Sequence, residues 1–283
     1  DVTDAHVAAL ITALRIKGET KDEITGFARA IRARAQKVAI THNNLTDTCG
    51  TGGDRRSTFN ISTTAALVVA GCGMAVAKHG NRSVSSKSGS ADLLEALGVV
   101  IDLEPEHIAE SIEKVGIGFL YAPAFHPGLK HTARVRREIG IRTVFNILGP
   151  LANPAGASIQ LIGVYEPALT KLLAEVLWRL GVVNALVVHG AGGLDEISTL
   201  GQTKVAKIMN NRLTEYTIDS LDYGIPRPDP NEISGGNPKD NAAITLSVLK
   251  GERGARRDIV LINAAAVLYI GGKVNDLAQG LAM

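Results

Sequence analysis

The chain has 283 residues, 45% of them hydrophobic, which is enough apolar material for a substantial globular core. Its 30 basic and 28 acidic residues leave a net charge of +2, so it lacks the basic excess of a non-specific nucleic-acid binder. Two cysteines, Cys49 and Cys72, show neither zinc-site nor disulfide-scaffold spacing. No apolar run reaches the ~20 residues of a membrane helix and no signal peptide is recognisable. We therefore expect a cytoplasmic protein with no membrane or nucleic-acid partner.

The first forty residues have the apolar spacing of helices. Val7, Leu10, Ile11 and Leu14 fall at i, i+3, i+4 and i+7, and a second run of this kind begins at Ile24. With no strand between them, these segments predict a small helical domain over residues 1–44. We expect residues of about 126–140 to contribute to it.

From residue 45 onwards, apolar strand-like runs alternate with helical ones. The predicted strands are 45–49, 74–77, 99–103, 119–121, 161–164 and 185–188. The predicted helices are 61–70, 90–97 with Ser90 as N-cap, 105–115 and 167–180. Such alternation predicts a mostly parallel sheet covered on both faces, and hence an α/β domain over residues 45–283.

The last third of the chain departs from this alternation. Residues 204–209 and 213–218 flank Asn210-Asn211 and predict an antiparallel hairpin. Residues 222–238 are rich in Pro, Gly, Asp and Asn and predict an irregular segment. Helices are predicted at 241–249 and 259–269, and a further helical pattern at 277–283.

A glycine-rich loop follows the first predicted strand. Gly50 and Gly53, with Gly52 between them, would let several backbone N–H groups converge on a diphosphate, because glycine has no Cβ in the way. Asp54 could cap this loop or accept a sugar hydroxyl. The loop matches neither the G-x-G-x-x-G nor the Walker pattern, so a tight turn without a ligand remains an alternative. Side chains able to reach phosphate oxygens stand at the start of the next helix: Asn60, Ser62 and Thr63.

A second loop, at residues 78–90, combines cations with hydroxyls. Lys78, Arg82 and Lys87 lie among five serines, a composition that suits phosphate oxygens. A flexible surface loop with incidental charges is the alternative. Asn81 could bind a second, smaller substrate, while His79 could be either structural or a substrate contact.

Several motifs together resemble the anthranilate phosphoribosyltransferase family. They are GTGGD at 50–54, NIST at 60–63, KHGNR at 78–82, SGSAD at 88–92, RREIGIRT at 136–143, FNILGPL at 145–151 and GLDEIS at 193–198. The resemblance covers essentially the whole chain in the family's order. It implies a glycosyltransferase that joins anthranilate to 5-phosphoribosyl 1-diphosphate (PRPP), giving N-(5-phosphoribosyl)anthranilate and diphosphate in tryptophan biosynthesis.

The same resemblance implies a fold and an assembly. The fold is similar to that of pyrimidine nucleoside phosphorylases, with a small helical domain hinged to a larger α/β domain. The family usually forms homodimers through the helical part. It also has a helix before the position of Asp1 and one after Met283, so we expect their absence here to affect the dimer surface more than the chemistry. Arg55 and Arg56 stand where the family commonly has small residues; we expect them to face water.

The resemblance assigns site residues as well. Anthranilate would contact Gly50, Asn81 and Arg136, of which only the motif singles out Arg136 from its neighbouring arginines. Magnesium, at two ions per monomer, would be held by Asp195, Glu196 and Ser62, although adjacent acids in a loop often simply face solvent. The neutral amine of anthranilate requires no catalytic base. The implied PRPP contacts are Gly50, Gly53, Asp54, Thr58, Asn60, Ile61, Ser62, Thr63, Lys78, His79, Gly80, Asn81, Arg82, Ser83, Val84, Ser85, Ser86 and Ser90.

Two alternatives to the transferase are open. A nucleoside phosphorylase of similar fold would take a phosphate ion and a nucleobase. A non-catalytic, nucleic-acid-binding relative would use the same fold without the reaction. The Asp195-Glu196 pair and the run at 145–151 favour the transferase, and the near-neutral charge disfavours nucleic acid.

Overall fold

The computed structural model describes residues 2–42, 44–52, 56–83 and 87–283, which form one seven-stranded sheet and twelve α-helices. The strands are β1 Thr46–Gly50, β2 Val76–Gly80, β3 Ile117–Tyr121, β4 Ile159–Gly163, β5 Asn184–Gly190, β6 Thr203–Met209 and β7 Arg212–Ile218. The helices are α1 Asp4–Lys17, α2 Lys21–Arg34, α3 Ile61–Gly71, α4 Ser90–Ala96, α5 Pro105–Val115, α6 Ala122–Phe125, α7 Lys130–Ile139, α8 Phe145–Leu148, α9 Leu169–Arg179, α10 Pro238–Leu249, α11 Ala255–Ile270 and α12 Leu277–Ala282.

The N-terminal part of the chain is helical, as predicted. Thr3 and Thr20 cap α1 and α2, each accepting a hydrogen bond from the backbone three residues later. The returning helix α7 packs against α1, where Arg134 Nε donates to Asp4 Oδ2 at 3.1 Å. On the other side, α2 packs against α9 of the larger part. The exact domain boundary at residue 44 stays a prediction.

The strand order is β3-β2-β1-β4-β5-β6-β7. The first five are parallel, while β6 and β7 add an antiparallel hairpin at one edge. Asn210 and Asn211 turn this hairpin with φ of 52° and 55°, the left-handed conformation that asparagine tolerates. The predicted fold class, a helical domain with a larger α/β domain around a mostly parallel sheet, is confirmed.

Each face of the sheet has its own apolar core. One core packs α3 and α11 against the sheet and includes Val69 and Val267. The other packs α2 and α9 against the opposite face and includes Ile24 and Leu177. The helix that follows β1 therefore lies on one face and the helix that follows β4 lies on the other. None of the helices in the described part of the chain is long and apolar enough to cross a membrane.

Two local predictions are wrong. Residues 99–103 form no strand, since Val99 and Val100 are exposed and only the Ile101 end of the segment packs inward, against β3. The N-cap of α4 is Gly89 rather than Ser90, because the Asp92 carboxylate accepts from the Gly89 N–H and starts the helix there. The other predicted strands and helices are present with their ends shifted by a few residues, and 222–238 contains only a short 3-10 turn at Pro230–Ile233 and the end of another.

Candidate active site

The glycine-rich loops lie together at the carboxyl ends of the parallel strands. β1 and β2 are neighbours and parallel, so Gly50 and Gly80 end them on the same side. Gly163 ends β4, which lies on the other side of β1 and pairs Gly163 with Gly50. In the sheet, β2 and β3 lie on one side of β1, whereas β4 and β5 lie on the other. The carboxyl ends of β1 and β4 therefore form the switch point at which α/β folds bind ligands.

Hydrogen bonds of Asn60 join the two loops. Asn60 precedes α3, but its side chain does not cap that helix. Instead its Nδ2 donates to Ser88 O at 3.1 Å, and its Oδ1 accepts from Ser88 Oγ at 3.2 Å. Asn241 of α10 donates to the same Oδ1 at 2.9 Å. The two loops therefore line one cleft.

The rest of the first loop is anchored around Asn60. Thr58 forms an isolated bridge with Ser234, and the Gly235 N–H donates to Ser57 O at 2.8 Å. Ile61 and Thr63 are buried, whereas Ser62 is half-buried. Gly53 and Asp54 lie outside the described residues, as do Val84, Ser85 and Ser86 of the second loop.

Two carboxylates lie against the first loop. Asp195 Oδ2 accepts from the Gly52 N–H at 2.8 Å, and Glu196 Oε1 accepts from the Ser62 N–H at 3.1 Å. Glu196 is only 9% exposed and sits at the N-terminus of α3, where the helix dipole favours an anion. The adjacent acids therefore face this cleft and not bulk solvent.

Glycines explain how this acidic segment comes so close. A Cβ at Gly163 would lie 1.5 Å from Asp195 O, and one at Gly50 would lie 2.1 Å from Asp195 Oδ2. The segment thus crosses directly over the ends of β1 and β4. Ile197, which follows the two acids, is held by Asn263 of α11. The Asn263 side chain accepts from the Ile197 N–H at 2.9 Å and donates to Ile197 O at 2.8 Å.

Asp92 closes the base of the second loop. One oxygen, Oδ2, accepts from the N–H groups of Ser83 and Gly89 at 2.9 and 2.8 Å, and the Ala91 N–H donates to Asn81 O at 3.2 Å. A Cβ at Gly89 would lie 2.4 Å from Ser83 N, so the two ends of the loop touch. Asn81 itself is exposed at the end of β2.

Three further members of the predicted PRPP set, Lys78, Arg82 and Ser90, lie in different environments. Arg82 is paired with Asp92 and Glu95 and lies 5.9 Å from the centre of the Tyr121 ring. Ser90 opens α4, in contact distance of Gly80. Lys78 is buried, and its ammonium donates to Thr48 O at 2.6 Å. Direct contact of Lys78, Arg82 or Ser90 with PRPP stays a prediction.

His79 is a buried, neutral side chain. Its Nδ1 lies 3.2 Å from Gly149 O, and its ring meets His126 edge-on at 5.1 Å between centroids. Burial, with the nearby charges of His126 and Lys78, lowers the pKa of His79 to about 3. Because the ring is uncharged at neutral pH, it offers no cation to a phosphate.

Arg136 lies on α7, at the helical side of the molecule. Its guanidinium is 5.2 Å from the centre of the Phe145 ring, which begins the short helix α8. The side chain is half-buried, and this burial lowers its pKa from the ordinary arginine value. A partly desolvated arginine on an aromatic face suits a bound carboxylate.

Sequence reasoning missed four polar residues that build the site. Asp92 could have been found, because Gly89-x-x-Asp92 has the spacing of a capping box. Asn241 and Asn263 are asparagines within largely apolar helices, which is a weaker signal. Asp47, buried within β1, gives no signal at the sequence level, since it reads as one polar residue among Thr46 and Thr48.

The donor set fits magnesium. Among the described residues no group of three or more His, Cys, Asp or Glu side chains could hold a metal. Magnesium, however, is often held by one or two carboxylates, with its other ligands coming from phosphates and water. Asp195 and Glu196 supply that pair, and the two glycine edges leave no side chain between them and the strand ends.

Known proteins resemble the chain over its whole length. The glycosyl transferase family helical bundle domain matches residues 1–35, and the glycosyl transferase family a/b domain matches residues 42–283. An anthranilate phosphoribosyltransferase of Moorella thermoacetica is 56% identical over 283 residues, covering 100% of this chain and 84% of that protein. One of Acetivibrio thermocellus is 54% identical over 281 residues, which are 99% of this chain and 81% of that protein.

Solved structures give the same result. The anthranilate phosphoribosyltransferase of Thermus thermophilus superposes with a TM-score of 0.94 at 45% identity, covering 99% of this chain and 84% of that one. The Saccharomyces cerevisiae enzyme in complex with PRPP and Mg has a TM-score of 0.90 at 29% identity, covering 99% and 79%. A complex of the yeast enzyme with 4-fluoroanthranilate has a TM-score of 0.88 at 28% identity, again covering 99% and 79%.

Proposed function

This chain belongs to the anthranilate phosphoribosyltransferase family, and we propose that the cleft at the ends of β1, β2 and β4 is its active site. The enzyme transfers the 5-phosphoribosyl group from PRPP to the amine of anthranilate in tryptophan biosynthesis. The products are N-(5-phosphoribosyl)anthranilate and diphosphate. The main support for the location is the Asn60–Ser88 pair of hydrogen bonds, which joins the two predicted PRPP loops into one cleft.

We propose that PRPP binds across both loops. As diphosphate leaves C1 of the ribose, negative charge grows on the leaving group, so catalysis depends on positioning and charge stabilisation. The backbone at Gly50, the polar groups at the start of α3 and the second-loop residues named above would hold the phosphates. The Gly52 and Ser62 N–H groups lie at the same place and donate to Asp195 and Glu196, which brings the two carboxylates next to the proposed phosphate site.

The reaction uses magnesium. We propose that Asp195 and Glu196 hold it, with Ser62 assisting, at two ions per monomer. When bound, magnesium neutralises charge on the diphosphate. The protein's own contribution is to fix the two carboxylates: Gly52 and Ser62 donate to them, and Asn263 anchors the following residue.

The anthranilate carboxylate would bind to Arg136, with Asn81 and Gly50 completing the acceptor site. A guanidinium can hold a carboxylate through two parallel hydrogen bonds and so orient the amine toward C1. That amine is already neutral and nucleophilic at pH 7. We therefore assign no catalytic acid or base.

We propose a cytoplasmic homodimer that forms through the helical domain. Leu10 and Ile16 of α1 are 53% and 82% exposed and give the helical domain apolar surface that a second copy would cover. The free cysteines Cys49 and Cys72 are in keeping with a reducing compartment. Light scattering of the wild type and of Leu10→Glu tests the dimer, since a charge at the interface should shift the mass toward the monomer.

The activity is tested by anthranilate fluorescence. The signal should decay when purified protein, magnesium and PRPP are mixed, and persistent fluorescence with folded protein at every concentration would contradict the proposal. A phosphorylase would instead cleave a pyrimidine nucleoside in the presence of phosphate, without consuming anthranilate.

The anthranilate site is tested by Arg136→Ala, with Arg137→Ala as the matched control. Arg137 is the exposed neighbour of Arg136 on α7. We expect Arg136→Ala to raise KM for anthranilate by at least about tenfold, the range for a lost charged hydrogen bond, and KM for PRPP by much less. Equal changes in both KM values, or the same change in the control, would show that Arg136 has another role.

A further inference from the structure

The backbone ladder between β1 and β2 stops short of the site. β1 pairs with β4 at five positions, and β2 pairs with β3 at five, but β1 and β2 are in register only at Thr46 and Val76. All residues of these strands belong to the described part of the chain. The two strands that carry the substrate loops are therefore joined by their backbones only at their amino ends.

The hydrogen bonds that would continue the β1–β2 ladder can be identified from the geometry of parallel strands. At the existing rung, the Thr46 N–H donates to Ala75 O at 2.9 Å. A parallel ladder repeats this pattern every two residues. The next rung would join Thr48 N–H to Ala77 O, and His79 N–H to Thr48 O.

Side chains bond three of these backbone groups instead. Ala77 O accepts from Asn153 Nδ2 at 2.8 Å, Thr48 O accepts from Lys78 Nζ at 2.6 Å, and the His79 N–H donates to Asp47 Oδ1 at 3.2 Å. Such substitution satisfies these three buried backbone groups without continuing the ladder between the two strands. We call the side chains of Asp47, Lys78 and Asn153 the side-chain bridge.

The bridge is internally connected and buried. Asn153 Nδ2 also donates to Asp47 Oδ2 at 2.8 Å, and Asn153 Oδ1 accepts from the Ala155 N–H at 2.9 Å. Asp47, Lys78 and Asn153 are each at most 2% exposed. Hydrogen bonds in such a low-dielectric place are strong, and removing one partner leaves the others unsatisfied.

We propose that Asp47 and Asn153 are positioning residues that set the spacing between the two substrate loops. Asp47 stands three residues before Gly50, and it holds the backbone of His79 directly before Gly80. A change in the bridge would therefore move the loops relative to each other. The inference rests on the proposed function, because it assumes that PRPP spans both loops.

The effect on the two substrates should differ. PRPP would be bound by many residues of both loops, whereas anthranilate would be held chiefly through its carboxylate by Arg136 on α7, with Gly50 and Asn81 as its only loop contacts. Loss of spacing should weaken PRPP binding in the ground and transition states alike, which raises KM with little change in kcat.

The main experiment compares Asn153→Ala with Asn184→Ala. Asn184 donates from Nδ2 to Ile270 O at 2.8 Å, at the amino end of β5 and so at the opposite edge of the sheet. We expect Asn153→Ala to raise KM for PRPP about fivefold or more, with kcat and KM for anthranilate changed less than about twofold. Asn184→Ala should lower Tm but leave both KM values unchanged.

A pair of variants that keep the side-chain shapes guards against loss of folding, and the second restores the charge that the first removes. D47N keeps the shape of the side chain but places an NH₂ group opposite Asn153 Nδ2, so KM for PRPP should rise. Adding N153D restores a donor–acceptor pair between the two positions and should recover part of that loss, a coupling that independent sites do not show.

The outcomes separate the two proposals. An inactive, folded wild type would overturn the proposed function. An active wild type, with Asn153→Ala and D47N that lower Tm but leave KM for PRPP within about twofold, would overturn the positioning role alone. Equal KM effects on both substrates would also overturn it.

Discussion

Two neighbouring-strand pairs of the sheet, β6–β7 and β1–β2, differ in how they are held together. β6 and β7 pair from Thr203–Ile218 through to Met209–Arg212, with the backbone bonded along the whole hairpin. β1 and β2, by contrast, pair at Thr46–Val76 and are then joined by side chains. The hairpin needs only to be stable. In the proposed site the loop-bearing strands also line the substrate cleft, and their regular pairing stops before those loops begin.

The backbone is constrained differently in these two regions as well. In the hairpin turn, Asn210 and Asn211 adopt positive φ, and the Asn211 Oδ1 accepts from Trp178 Nε1 at 3.0 Å. At the site, Gly50 and Gly163 have no room for a Cβ because the Asp195 segment crosses them. Substitutions at the two places should therefore fail in different ways.

The largest expected effect is on activity, from Gly163→Ala. The added methyl would lie 1.5 Å from Asp195 O, so the acidic segment must move. Because misplacement of a catalytic group by about 1 Å can cost roughly 10²-fold in rate, we expect kcat/KM to fall about a hundredfold. Steady-state kinetics at saturating magnesium measure this fall in kcat/KM.

Gly26→Ala is the control for this substitution. Gly26 lies within α2, and an added Cβ meets nothing within 4 Å. Alanine is favoured over glycine in a helix by about 1 kcal/mol, so Tm should rise slightly with activity unchanged. Full activity of Gly163→Ala would show that the position of Asp195 is not needed.

The next effect concerns acid stability and the buried His79. Its folded pKa of about 3 lies below the ordinary value of 6.5, so the unfolded chain takes up this proton first as the pH falls. The stability that neutral His79 contributes is complete above about pH 6.5 and is lost on acidification from there toward pH 3.

This linkage is measured by denaturant unfolding at pH 7 and pH 4. His79→Gln cannot titrate, so its unfolding free energy should fall less between the two values than that of the wild type, by about 3 kcal/mol. The exposed His107→Gln should keep the wild-type slope. An unchanged slope in His79→Gln would show that His79 is accessible to protons in the folded state.

The smallest effect is expected in the hairpin. Asn210→Ala removes a residue that tolerates φ of 52°, which costs an ordinary side chain about 1 kcal/mol. We expect a small loss in Tm with both KM values unchanged. A change in KM for PRPP would mean that the antiparallel hairpin and the proposed site are coupled.

Local signals predicted much of the fold. Helix α5 begins at Pro105 and ends before Gly116, whose φ of 87° is the left-handed C-cap that the sequence indicates. The hairpin was found because two asparagines separate its strands. Residues 99–103 were predicted as a strand from their apolar run alone, yet two of the valines face solvent, and composition could not reveal that no neighbouring strand pairs there.

For the candidate site, the sequence predicted the two loops but not the side chains that hold them in place. The loops are rich in glycine, serine and cations, and that composition indicates phosphate chemistry. Asn153 and Asn263 act over long sequence distances, on Asp47 and Ile197 respectively. A side chain that bonds to backbone groups brought together only by the folded sheet leaves no spacing pattern in the chain.

We propose that the loops after β1 and β2 and the Asp195–Glu196 pair bind PRPP and magnesium as one site. Isothermal titration calorimetry of PRPP, with and without magnesium, tests it in the wild type and in D195N/E196Q. We predict that magnesium tightens PRPP binding about tenfold or more in the wild type and less than about twofold in the double variant, since each lost carboxylate removes a metal ligand. An equal tightening in both proteins would contradict the account.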